Sequence, residues 1–82
     1  MILVDVTLDG PSDRQLHEEM VVDLLWAHAR PDDCIQHISV KSVPGRADLV
    51  LFVSLANEAR LRAVVGAALD RGSDTRGWSV RA

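Results

Sequence analysis

Two hydrophobic periods alternate along this chain, and that alternation restricts its fold more than any other feature. Ile2, Val4, Val6 and Leu8 alternate with Leu3, Asp5, Thr7 and Asp9, the two-residue repeat of a strand with one buried face. Gly10-Pro11 closes that strand. Ser12 then stands three residues before Gln15, a capping-box pattern that satisfies amide donors at a helix start. Leu16, Met20, Leu24 and Ala27 follow at helical spacing, flanked by Val21 and Leu25, with Arg14, Glu18, Glu19 and Asp23 on the opposite, solvated side. The spacing predicts a helix over 12–29 that stops before Pro31, because proline disfavours α geometry in the residue preceding it.

The two-residue period then returns. Pro31-Asp32-Asp33 is turn chemistry, and Ile38 and Val40 alternate with Ser39 and Lys41 in a strand predicted over 34–43. Val43-Pro44-Gly45-Arg46 reads as a reversal, since proline presets φ and glycine accepts a positive φ. In the next strand, predicted over 47–55, Leu49, Leu51, Val53 and Leu55 mark one face while Val50 and Phe52 mark the other. A second helix, predicted over 57–71, takes Asn57 as its cap and Leu61, Val64, Val65, Ala68 and Leu69 as its apolar side. Glu58, Arg60 and Arg62 lie on its polar side, and Gly72 is its natural stop. After a polar loop over 73–77, Trp78, Val80 and Ala82 form a short last strand. The order β-α-β-β-α-β is that of ferredoxin-like domains, an α+β sandwich whose four-stranded antiparallel sheet carries two helices on one face. Right-handed crossovers place both helices on the same side, with the first and third strands central and the second and fourth at the edges. One such domain spans 1–82.

Composition removes several classes of function. The chain is 48% apolar and 26% charged, an ordinary globular balance. Its longest uninterrupted apolar run, Leu49 to Val53, is far shorter than the ~20 residues of a membrane-spanning helix. Met1-Ile2-Leu3-Val4-Asp5 lacks the basic start of a signal peptide. Cys34 is the single cysteine, so no intrachain disulfide or cysteine-based metal framework forms. These features predict a cytoplasmic domain with no membrane partner. The net charge of −3 argues against nucleic acid, whose binding rests largely on neutralised phosphates. Eight of the nine basic residues are Arg, and together with the Ala and Val usage they fit the codon bias of a high-GC bacterium.

No constellation of catalytic residues emerges. The Gly10-Pro11-Ser12 loop sits where phosphate loops sit, between strand and helix, yet it lacks a glycine-rich fingerprint and is flanked by Asp9 and Asp13. His17 and His28, eleven residues apart, would project from one helical angle about 16 Å apart, too far to share a metal ion. Cys34 and His37 are three residues apart and, on one strand, point to opposite faces; Cys34 reads as a half-buried small hydrophobe. The adjacent pairs Asp32-Asp33 and Glu18-Glu19 lack the separation across a cleft that acid–base hydrolysis requires. Asp5, Thr7 and Asp9 line one strand face, and only Asp74 suggests a further oxygen ligand. No cofactor or metal site is predicted. RNA-recognition motifs share the strand order but stack bases on aromatic residues of the central strands, where this chain has Phe52 alone. Copper-chaperone domains of the same order need two cysteines in the first loop, and none is there.

The remaining candidate is the sheet face away from the helices. If Ile2, Val4, Val6 and Leu8 pack under the helices, Leu3 faces outward, joined by Val50 and Phe52 or by the leucine set, according to register. Trp78 or its neighbours add to that patch from the edge strand, and Trp26 marks a separate surface on the first helix. Leu3, Val50, Phe52 and Trp78 are therefore the expected interface residues of a non-catalytic interaction or small-ligand-binding module, a homodimer or an accessory subunit of another protein. The alternative is a small enzyme whose site forms between subunits from His17, His28, His37 or an aspartate of each chain.

Overall fold

The computed structural model describes residues 2–55 and 57–81. Strand β1 (Ile2–Asp9) leads to helix α1 (Glu18–His28), a single 3-10 turn (Pro31–Asp33) and strands β2 (Ile35–Val43) and β3 (Arg46–Val53). Helix α2 (Glu58–Arg71) and the two-residue strand β4 (Ser79–Val80) complete the α+β chain. The four strands form one antiparallel sheet in the order β2-β3-β1-β4, so β1 and β3 are central.

Pairing decides which face of each strand is buried. Val4 opposes Leu51, Val6 opposes Leu49 and Leu8 opposes Ala47, with Ile38 of β2 extending the row through Leu51. Alternation turns all of these to one side, where Val21 and Leu25 of α1 and Leu61, Val65 and Leu69 of α2 close a single buried cluster. Pro44 and Gly45 make the β2–β3 reversal, Gly45 with φ +80°, a conformation that costs glycine nothing. The Asn57 side chain accepts the Arg60 amide at 3.1 Å and starts α2 as predicted. Gly72 does follow the last turn of α2, but its φ is −77°; its lack of a side chain instead admits Thr75, whose hydroxyl donates to the Leu69 carbonyl.

The largest departure from the sequence reading concerns residues 12–17. They are not helical; α1 begins at Glu18 with His17 as its cap, and the Ser12–Gln15 capping box does not form. Several polar groups of this segment and its flanks bond to the β2–β3 hairpin instead. Gly10 N–H donates to the Gly45 carbonyl at 3.1 Å, and Gly45 N–H donates to the Arg14 carbonyl at 2.8 Å. The Gln15 amide donates to the Ser42 carbonyl, the buried Ser42 hydroxyl donates to the Leu16 carbonyl at 2.7 Å, and Ser42 N–H donates to the Glu18 carboxylate at 2.8 Å. Glu18 is thus a tether to the sheet edge rather than a freely solvated carboxylate. Leu16 is buried from this loop, and the apolar face of α1 turns accordingly: Val21 and Leu25 are buried while Ala27 is exposed.

Smaller shifts have local causes. Cys34 precedes β2 rather than starting it, because its φ of +59° breaks extension, and a bulge lies between Ile35 and His37. Strand β3 ends at Val53, leaving Leu55 exposed, and the expected strand position of Ala82 falls outside the described residues. No helix among the described residues is long and apolar enough to cross a membrane.

Candidate interaction face

The register that buries the leucines turns a second set of side chains outward. Across the outer face, His37, Phe52 and Leu3 form one row, followed by Ser39, Val50 and Asp5, then Lys41, Asp48 and Thr7. The first two rows hold the apolar end. Leu3 is 58% exposed, Val50 and Phe52 are half-buried, and the His37 ring meets Phe52 edge-on with centroids 5.2 Å apart. The choice between the two sets of β3 is thereby made: Leu49, Leu51 and Val53 face the helices, and Val50 and Phe52 face away.

The other end of the same face is charged and internally paired. Thr7 donates to Asp48 at 3.2 Å, and Arg46 lies 3.4 Å from the other Asp48 oxygen. Arg81 grips Asp9 with two bonds of 2.6 and 2.8 Å, and that hydrogen-bonded guanidinium holds the Asp9 carboxyl below its ordinary value. Lys41 and Asp5, both exposed, have no ion-pair partner among the described residues. They stand on the two strands that flank β3.

Trp78 does not belong to this face. It is 5% exposed, and its ring lies flat against Gly10, so closely that a Cβ at position 10 would overlap it. Val80 opposes Leu8, an inward residue, and Trp78, two positions earlier, shares that inward side. The expectation that Trp78 extends the outer patch fails because the parity of β4 is set by its pairing with β1. Trp26 is 43% exposed on α1, away from the sheet face.

The remaining sequence candidates do not converge. His17 precedes α1, His28 ends it with Nδ1 donating to the Leu24 carbonyl at 3.0 Å, and His37 is on the outer sheet face. Cys34 is half-buried, its Sγ 3.6 Å from the Asp32 carbonyl. Asp74 takes part through its backbone carbonyl, which accepts from Arg14 at 2.9 Å. Among the described residues no group of three or more His, Cys, Asp or Glu side chains could hold a metal ion. Asp32 and Asp33 diverge: Asp33 is buried and Asp32 exposed, and both accept from Arg60 at 2.7 Å. That bond from Arg60, foremost among its causes, lowers the Asp32 pKa, to which the Arg30 charge adds slightly. Nothing in the local pattern links Arg60 to Asp33 and Asp32, twenty-seven and twenty-eight positions earlier.

Comparison with known protein families, with curated proteins and with solved structures finds no match for this chain.

Proposed function

We propose that this chain is a non-catalytic interaction module of ferredoxin-like build that associates with a second copy of itself through the outer face of its sheet. The observation that carries this reading is the Leu3–Phe52 cross-strand pair, beside Val50, on a face that neither helix covers. The ferredoxin-like description is supported by the β-α-β-β-α-β order and by the central position of β1 and β3. Large apolar side chains gathered on an otherwise polar face favour contact, and burying one contributes about 1.5–3 kcal/mol.

A second copy also brings one set of opposite charges toward each other across this face. A two-fold axis running along β3 lays β1 of one copy over β2 of the other. Phe52 then meets Phe52 near the axis, Leu3 meets His37, and Asp5 is offset from Lys41 by one strand step, about 7 Å along the strand. Asp5 and Lys41, which form no ion pair within one chain among the described residues, so come near each other between two.

Sedimentation at about 100 μM, where an association of useful strength is populated, is the test. The expected result is a dimer that Phe52→Asp converts to a monomer with its helical circular dichroism intact. Leu3→Asp, at the more exposed position, gives the same result should Phe52→Asp disturb folding. Wild-type protein that sediments as a monomer overturns the reading.

A further inference from the structure

We propose that the cleft between the end of α1 and one side of α2 binds a small organic anion, a carboxylate or phosphate monoester with a short apolar body. On α2, Arg60, Ala63, Val64, Ala67 and Arg71 recur at three- and four-residue spacing and so form one stripe. His28 and Arg30 face that stripe from the end of α1, with Asp33 at the base. The cleft has a volume of about 410 Å³, within the range of small-molecule sites. It exists because α1 stops at His28, where Ala29 turns to extended geometry ahead of Pro31, while alanines on α2 leave the space above them unfilled.

The charges in the cleft are not all free. Arg60 is committed to Asp32 and Asp33, and Asp33 spends its second oxygen on the Arg30 amide at 2.7 Å. The Asp33 charge is therefore already satisfied and does not repel a ligand as a bare carboxylate would. Arg30 and Arg71 have no carboxylate within ion-pairing distance among the described residues. Helical side chains lean toward the helix N-terminus, which carries Arg71 back over Ala67 and toward Ala63. Two guanidiniums outside any short ion pair thus border the apolar stretch of Ala63, Val64 and Ala67, in a chain whose overall charge is −3. A general basic excess cannot account for that concentration. Guanidinium recognises carboxylate and phosphate alike through paired N–H donors, and the methyl-lined side of α2 suits a short alkyl body.

The experiment is an amide chemical-shift titration of the full chain with sodium hexanoate and with hexyl phosphate at fixed ionic strength, set against hexan-1-ol and inorganic phosphate. Saturable shifts at Arg30, Ala63, Ala67 and Arg71 are expected with the two hexyl anions, with neither saturation nor clustering for the alcohol and weaker binding for inorganic phosphate. The tighter of the two hexyl anions identifies the headgroup. Arg30→Gln and Arg71→Gln, both exposed, are expected to weaken binding about tenfold each while leaving the rest of the spectrum in place. Phe52→Asp is expected to leave the titration unchanged, which separates this site from the sheet-face association. The proposal is overturned by an absence of saturation up to about 10 mM anion, by equal shifts from hexan-1-ol, by inorganic phosphate binding as tightly as its hexyl ester, or by arginine variants that titrate as the wild type.

Discussion

Arg60 donates from Nε to Asp33 at 2.7 Å, and the second Asp33 oxygen accepts the Arg30 amide, also at 2.7 Å. Through these two bonds a buried carboxylate ties the turn after α1 to the first turn of α2. Its neighbour Asp32 accepts from the same guanidinium in full view of solvent. Two adjacent aspartates, alike in sequence, are thereby made unequal.

Replacing Asp33 by alanine leaves the Arg30 amide without its acceptor and Arg60 Nε without its partner, while Arg60 keeps its bond to Asp32. The expected loss is about 1–3 kcal/mol in urea unfolding, the usual cost of a broken bond to a buried charged group. Asp32→Ala is expected to leave the unfolding midpoint nearly unchanged, because exposed ion pairs contribute little. Equal losses for the two variants would show that the burial of Asp33 does not govern its contribution.

Two glycines should respond to alanine with opposite signs. At Gly10 the added methyl overlaps the Trp78 ring, so ring or loop must shift, at a cost of about 1–3 kcal/mol. At Gly66, inside α2, an added methyl meets nothing within 4 Å beyond its chain neighbours and the backbone of its own helix, and better helix propensity should stabilise by about 0.5–1 kcal/mol. Thermal melts followed by circular dichroism check both, and fluorescence reports whether Trp78 in Gly10→Ala gains contact with water.

Acid should weaken the fold through two exposed carboxylates. Hydrogen bonds from Arg81 and Arg60 lower the folded-state pKa of Asp9 and Asp32 below their ordinary 3.8. A lowered pKa means that the unfolded chain takes up protons first as pH falls. The associated stabilisation is complete above the ordinary carboxylate value and is lost as pH drops through the lower folded values. Unfolding midpoints measured from pH 6 to pH 2 should show this decline, at about pH 4 and below. Arg81→Gln should flatten the part belonging to Asp9; an unchanged profile would show that the Arg81 bond has no part in it.

The two-fold arrangement over β3 makes a charge-swap prediction. Asp5→Lys and Lys41→Asp should each weaken the dimer, because each sets like charges against one another across the axis. The double variant should recover much of the loss, by roughly 0.2–1 kcal/mol for a solvent-accessible pair. Sedimentation equilibrium of the four proteins measures the coupling. Additive losses in the double variant would exclude this axis while leaving association through Leu3 and Phe52 open to other orientations.

The sequence alone determined the element types, the Pro44-Gly45 reversal, the Asn57 cap and the fact that β3 carries apolar residues on both faces. Each is legible because its cause lies within a few residues: a period, a fixed φ, a cap three positions from its partner. It could not say which apolar set of β3 faces outward, since alternation defines two faces without assigning either to the helices. Pairing of Val6 with Leu49 and of Asp5 with Val50 made that assignment, and pairing of Val80 with Leu8 likewise drew Trp78 inward. Residues 12–17 read as helix because Ser12 and Gln15 have the spacing of a capping box, yet hydrogen bonds to Ser42 and Gly45 hold this segment out of the helix. The cleft at Arg30 and Arg71 was hidden for the same reason. Its two sides lie far apart along the chain, and only the packing of α2 against the end of α1 brings them together.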